Sequence, residues 1–448
     1  MGGSAFASGD DPLYTPRMPA DVYETVRDRC LATLLHLYHC AASPIDGPGK
    51  ADHGDIDILL ALPKTASTPS SNDDEIGRIA KALGAERVIS LRGNGCAANL
   101  AIPWPHELDL YRSHNEKCPP QASDPPCCCD QSPEPSARHA SGQAAGHAAR
   151  HIQVDVRVCA SLEQWHWALF SHAHGDLHNI LGTMLRPLGL TVSEAGLCLR
   201  IPEIEEHDRK RARVLLSHEP AEVLAFLGLP PGDDTCWDGP FESLRAMYEY
   251  AARCRFMHAP ARGETGEGRQ GQGQGLELKA NDRRRMASRP AFRKWVEEFL
   301  PECREQGRFI ELRVTREQVR QEAFALFHVD EEYRRRRDEF LVERQRDHIW
   351  NHTIKDNVPK KKNPSPADSL YRSCLVKALK RIILEDDASY NVLPGESLRD
   401  ARGWFLMDKV LEFVLNRQSE VGVAAMERYH VRSAERMREK ANRSQASV

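Results

Sequence analysis

Gly54-Asp55-Ile56-Asp57-Ile58-Leu59-Leu60-Ala61-Leu62 and, later in the chain, His151-Ile152-Gln153-Val154-Asp155-Val156-Arg157-Val158-Cys159 are the two runs that decide the fold. The first is an apolar run between polar flanks, read as a buried strand over Asp55 to Leu62. The second alternates strictly, with Ile152, Val154, Val156 and Val158 on one face and Gln153, Asp155 and Arg157 on the other. Side chains two apart on a strand point the same way, so Asp55 and Asp57 share a face. Two unit charges about 4 Å apart repel by roughly 4 kcal/mol at an effective dielectric near 20, so such a pair calls for a proton, a metal or screening water. If the second strand neighbours the first, Asp155 supplies a third carboxylate. Three carboxylates make the hard oxygen set that Mg²⁺ takes, with water and phosphate filling its other positions. Two such ions stabilise the attacking and leaving oxygens of an in-line phosphoryl displacement.

Working outward, Met18-Pro19-Ala20-Asp21 opens a helix in which Val22, Val26, Leu31, Leu34, Leu35 and Tyr38 recur at helical spacing. Residues 1–17 are expected to be a disordered lead. Ser43 to Lys50 reads as a Pro/Gly turn, and Asp73 to Leu83 as a helix ended near Gly84. Arg87 to Leu91 and Ala97 to Ile102 form a hairpin about Gly93-Asn94-Gly95. Residues 113–150 hold Cys118, Cys127, Cys128 and Cys129 but almost no large aliphatic side chains, an insertion too poor in apolar surface to order itself. A helix around Leu177 to Leu188 and strands Leu190 to Ser193 and Leu197 to Ile201 come next.

This order resembles the nucleotidyltransferase superfamily, in particular the palm of X-family DNA polymerases of the polymerase beta type. Gly54-Asp55-Ile56-Asp57-Ile58-Leu59-Leu60 looks like that family's carboxylate strand, and Ile152-Gln153-Val154-Asp155-Val156-Arg157-Val158 like its third-aspartate strand. His174-Gly175-Asp176-Leu177-His178-Asn179 and Gly189 to Glu194 are similar to the segments that close over the nucleotide, and Glu219 to Pro230 to the thumb segment after them. The resemblance covers roughly residues 20 to 230. Composition marks a flexible Gly/Gln linker over 259–280, a charged helical domain over 281–440 and a tail over 441–448, and the resemblance implies an α/β (α+β) palm with a mixed sheet over 18–201 and a thumb-like helical subdomain over 202–258. It makes Asp55, Asp57 and Asp155 catalytic metal ligands for Mg²⁺ or Mn²⁺, two ions in all. Gly49, Lys50, Gly54, Asp176 and Asn179 would bind the nucleoside triphosphate. The implied activity is transfer of a nucleotidyl group to a nucleic acid or another hydroxyl acceptor. The sequence departs from the family at the phosphate-holding Gly-Ser pair, which has no counterpart in Ser43 to Lys50. Lys50 and the amides of Gly47 and Gly49 are left to take that role. The departure keeps open a catalytically inactive scaffold or nucleic-acid-binding protein. The family's upstream helix-hairpin-helix region is also not found before Met18.

Composition limits the alternatives. The chain is 41% hydrophobic and 28% charged, enough for two or three cores, with a mean hydropathy of -0.55. A formal net charge of -4 excludes a globally basic nucleic-acid binder, so any such surface is local. The candidate patches are Arg283 to Arg285, Arg334 to Arg337 and Lys360 to Lys362, interspersed with acids such as Glu331, Glu332 and Asp338. No run of about 18 apolar residues is present, so no membrane helix is expected. The start lacks a secretory pattern, and the 13 cysteines, several in apolar-periodic segments, fit a reducing compartment, cytoplasm or nucleus. His172-Ala173-His174-Gly175-Asp176-Leu177-His178 resembles a His-x-His-x-Asp-His metal pattern with one residue too many, and reads more simply as a polar loop leading into a helix.

Overall fold

The computed structural model describes residues 3–8, 11–64, 71–91, 95–108, 149–230, 237, 239–259, 280–311 and 314–445. Nearly all of the expected insertion 113–150 and of the linker 259–280 lies outside the described residues, as do Cys118 and Cys127 to Cys129. The chain is mixed α/β and divides into two units. The first joins Met1–Leu199 to Leu215–Phe327, and the second joins Arg200–Val214 to His328–Val448.

The first unit is built on a five-stranded mixed sheet. Its strands are β2 (Tyr38–Ala42), β4 (Asp55–Pro63), β5 (Arg87–Ser90), β6 (Cys96–Pro103) and β7 (His151–Val158), in the order β2-β4-β7-β6-β5. Here β1 and β3 denote the two-residue ribbon of Met18–Pro19 and Asp52–His53. Strands β4 and β7 run parallel, and every other pair in the sheet is antiparallel. Period-two alternation sorts the two faces. Ile56, Ile58, Leu60, Leu100, Val154 and Val156 face a core closed by helices α1 (Ala20–Leu34) and α2 (Asn72–Leu83), which contribute Val22, Val26, Leu34, Ile76 and Ile79. Burial of each such side chain is worth roughly 1.5–3 kcal/mol, which fixes the register and so fixes what faces the other way. Helix α2 starts where Ser71 caps Asp74 N–H at 3.2 Å and stops at Gly84, whose left-handed φ of 65° turns the chain out.

The opposite face is divided along its length. At the C-terminal ends of the strands, Leu59, Ala61 and Cys159 pack under Ala168 of helix α3 (Leu162–His172), and Trp165 Nε1 donates to Leu59 O at 2.9 Å. At the N-terminal ends the same face carries the aspartates. Helix α4 (Leu177–Leu185) follows, then strands β8 (Leu190–Ser193) and β9 (Gly196–Arg200), joined by β10 (Arg213–Ser217) in a three-stranded sheet. Residues 202–258, read from sequence as mostly helical, hold β10 as well as the helices Pro202–Glu205, α5 (Pro220–Leu227) and α6 (Leu244–Ala252). Tyr248 of α6 donates to Ala291 O at 2.6 Å and meets Trp295, itself stacked on Phe299 at 4.8 Å, so the helices of 290–305 pack with this unit.

The second unit is helical. Helix α7 (Asp330–His348) runs through a π-helical turn at Ile349–Ile354. Helix α8 (Pro366–Glu385) opens on a capping box of Ser365 and Asp368, and α9 (Met407–Gln445) closes the unit. Ile354, Leu379, Ile383, Val410, Val414 and Val421 form its core.

Two expectations change. The first helix ends at Leu34, and Tyr38, assigned by spacing to its apolar face, instead starts β2, where it pairs with Pro63. A spacing of four suits either a helix face or two separate elements on one core, and Tyr38 is fully buried in that core. Residues 3–8 and 11–17 also differ from a disordered lead. Phe6 is 2% exposed, Thr15 Oγ1 donates to Gly3 O at 2.7 Å, and His151 N–H donates to Tyr14 O at 2.9 Å.

Candidate active site

Parallel pairing of β4 with β7 sets Asp57 directly beside Asp155, and Asp55 beside Gln153. Adjacent strands lie about 4.8 Å apart and residues two along a strand about 6.6 Å apart, so Asp55, Asp57 and Asp155 form one acidic patch on one face. Asp57 is exposed on its face of β4, with protein packed close about its carboxyl. Desolvation first, and the neighbouring Asp55 second, push its carboxyl up to about 6, against the pull of Lys50. Asp155 is pushed up to about 7, chiefly by desolvation and then by the fields of Asp55 and Asp57, while the amides of Gln153 and Asn99 draw it down. Like-charged neighbours in a partly dry site hold protons longer than free carboxyls do.

Asp155 is not free to turn. Asn99 Nδ2 and Gln153 Nε2 both donate to its Oδ1 at 2.8 Å. Asn99 stands directly opposite Asp155 on β6, and Gln153 precedes it by two on β7. Sequence reasoning placed Gln153 on this face without assigning it a role, and missed Asn99 altogether. The available signal was a lone polar residue in the apolar strand Ala97 to Ile102. Two further neighbours carry no sequence signal of their own: Ser43 Oγ donates to Asp57 O at 2.6 Å, and Arg157, two beyond Asp155, pairs with Glu194 at 2.9 Å.

The expected nucleotide-binding residues fall into two groups. Lys50 and Gly54 belong with the carboxylates. Lys50 is exposed, pairs with Asp46 at 2.9 Å and sends its field to Asp57. Gly54 is buried under the N-terminal residues: a Cβ on Gly3 would stand 2.1 Å from Gly54 O, so only a glycine backbone passes there. Gly49 is exposed with φ 70°. Asp176 and Asn179 form the second group. Asp176 is buried, accepts from Asn179 Nδ2 at 3.1 Å and from Arg289 Nη1 at 2.8 Å, and among the described residues makes no hydrogen bond to the carboxylate strands. The loop before it packs on the Ser43 to Lys50 turn. His174 N–H donates to Ile45 O at 2.8 Å, and a Cβ on Gly175 would meet Gly47 Cα at 3.3 Å.

No protein-family model matches this chain, and no curated protein matches it. The site is therefore judged on its chemistry. Among the described residues, no three His, Cys, Asp or Glu side chains form a ready-made ion cage. Asp55, Asp57 and Asp155 nevertheless place three hard oxygen donors on one face of the sheet, the donor type that Mg²⁺ and Mn²⁺ take. The histidine run offers a poorer set. His174 is buried with its ring 4.6 Å from Phe241 and 4.9 Å from Trp237, and burial drives His178, edge-on to Phe170, down to about 3.

The Arg334 to Arg337 run and Lys361 carry acidic partners. Arg334, Arg335, Arg336 and Arg337 pair with Asp330, Glu339, Glu332 and Glu203 at 3.1, 2.8, 3.2 and 2.6 Å, and Lys361 pairs with Asp368 at 2.5 Å. No helix among the described residues is long and apolar enough to cross a membrane.

Proposed function

We propose that this chain is a metal-dependent nucleotidyltransferase with a palm-like sheet, a thumb-like segment after it and a separate helical region, resembling X-family DNA polymerases. One observation carries the reading: Asp57 and Asp155 are parallel-paired neighbours on adjacent strands, with Asp55 on the same face. Asp55 and Asp57 would hold two Mg²⁺ or Mn²⁺ ions between them, and Asp155 would hold the one nearest the acceptor. Bound there, the ions supply charge neutralisation for the phosphoryl oxygens in flight. The chain's own groups do the rest. Asp155 would help activate the attacking hydroxyl by holding the ion nearest it, with Asn99 and Gln153 fixing the carboxylate. Lys50, once released from Asp46, can reach a phosphate of the nucleoside triphosphate beside Gly49 and Gly54. Asp176 and Asn179 are the remaining groups for the base and sugar. Acceptors are a nucleic acid or another hydroxyl compound.

Incorporation of labelled nucleotide in the presence of Mg²⁺, lost in Asp57→Ala, is the expected result. Equal activity in that variant would refute the reading.

A second reading is a catalytically inactive scaffold of the same fold. It is favoured by the Lys50–Asp46 pair, which ties up the turn's one cation in a stretch that lacks the Gly-Ser pair. Calorimetric titration with a nucleoside triphosphate and Mg²⁺ separates the two, since tight binding counts against the scaffold.

A further inference from the structure

Two amide side chains converge on one oxygen of one carboxylate, and that arrangement has a direction. Asn99 Nδ2 and Gln153 Nε2 each lie 2.8 Å from Asp155 Oδ1. Oδ2 accepts no hydrogen bond among the described residues and is not closed off from solvent. The two donors are themselves fixed. Gln153 is 3% exposed, and its Oε1 accepts the Ala5 N–H at 2.9 Å, which leaves only its NH₂ end for Asp155. Asn99 is 8% exposed, and its Oδ1 is buried without a hydrogen-bond partner. A buried amide carbonyl left unpaired works against stability, so burial alone would not select asparagine here. Flipping the amide would bring that carbonyl against a carboxylate and strand the NH₂ group instead. The cost is offset only by what the NH₂ does to Asp155.

We infer that Asn99 and Gln153 are positioning residues that pin Asp155 by Oδ1, so that Oδ2 is presented on the face shared with Asp55 and Asp57 as a single-oxygen ligand for the divalent cation. The inference rests on the metal-site reading above. Oxygen ligands around a small, rigidly octahedral cation must come from set directions, and a carboxylate that rotates freely offers none. Groups that hold a ligand from behind set its orientation, and their loss typically weakens metal binding about 10- to 100-fold. Strand β6 contributes no acidic residue to the patch. Its part in the site is the cross-strand Asn99–Asp155 pair.

The test uses the full-length, metal-free protein titrated with Mn²⁺, with free ion followed by electron paramagnetic resonance and melting temperature measured without metal. Asn99→Leu and Gln153→Leu are each expected to raise the Mn²⁺ Kd about 10- to 100-fold. Asn99→Leu removes the hydrogen bond to Asp155 together with the orphaned carbonyl, so the metal-free melting temperature is the control that the variant folds. A merely structural asparagine would move stability and not affinity. Asn99→Asp, which sets a carboxylate against Oδ1, should weaken Mn²⁺ binding at least as much as the leucine. Unchanged Mn²⁺ affinity in both leucine variants, with Asp155→Ala losing it, would overturn the positioning role while leaving the metal site standing. A wild-type protein that takes up no Mn²⁺ would overturn both.

Discussion

Replacing Asp155 by asparagine should make the protein more stable at alkaline pH, by an amount that follows from its surroundings. The folded chain raises this carboxyl from an ordinary 3.8 to about 7, first through desolvation and then through Asp55 and Asp57. The sign follows from linkage: a group that binds its proton more tightly when folded contributes stability that is fully present below pH 4. That contribution is lost as pH rises through about 7. Each tenfold difference in proton affinity is worth about 1.4 kcal/mol, so the full loss is on the order of 4 kcal/mol, of which about 2–3 kcal/mol falls between pH 5 and pH 8.5. Asparagine does not titrate, so the stability of Asp155→Asn relative to wild type should rise by about 2–3 kcal/mol across that window. Urea unfolding in metal-free buffer at pH 5, 6, 7, 8 and 8.5 measures it. Saturating Mg²⁺ should erase the trend in the wild type, because a bound cation favours the ionised carboxylate, and should do little to the variant. A pH-independent difference between the two proteins would refute the assignment of Asp155 to a crowded acidic patch.

Other outcomes test separate links. Asp57→Ala should abolish Mg²⁺-dependent nucleotide incorporation while leaving the circular dichroism spectrum intact. Lys50→Ala removes the cation that opposes the rise at Asp57, so that carboxyl should move above about 6 and the acidic limb of any activity profile should shift to higher pH. Gly175→Ala adds a Cβ at φ 61° and 3.3 Å from Gly47 Cα, and denaturation should show a loss of about 1–2 kcal/mol. Leu379→Ala, at a fully buried position in the helical unit, should cost about 2–5 kcal/mol in that unit's unfolding transition, with the Mn²⁺ affinity of the carboxylate site unchanged.

The carboxylate strands were legible because their information is local. Alternation in His151 to Val158 states which residues share a face, and the apolar run after Asp57 states that its strand is buried. Their adjacency is not local and had to come from the sheet order. The same distinction explains the gaps. Tyr38 satisfied a helical spacing while belonging to a strand, since one core received both elements. Helix α3 was not expected although Ser161 caps it at Gln164, because aromatic and histidine side chains at Trp165, His166 and Trp167 blur its apolar period. Phe6 is a single aromatic in a polar lead, and nothing near it in sequence marks its burial. Asn99 acquires meaning only through its cross-strand partner. Asp176 and Asn179 were selected by resemblance alone, and Arg289, which pairs with Asp176, lies more than a hundred residues onward.

The parallel seam between β4 and β7 has a consequence for how the molecule is assembled in time. Residues 57 and 155 lie about a hundred positions apart, yet loop-closure entropy grows only with the logarithm of length, about 0.6 kcal/mol per doubling. Shortening the loop from 57 to 155 by about 40 residues, within the connection between β6 and β7, would therefore alter the closure cost of the β4–β7 seam by only about 0.5 kcal/mol. That junction is a permissive place for added sequence. Kinetically, the acidic patch cannot exist until β7 has docked between β4 and β6. Metal capture during refolding would thus time the completion of the sheet, and variants of that connection would change when the site appears far more than what it does.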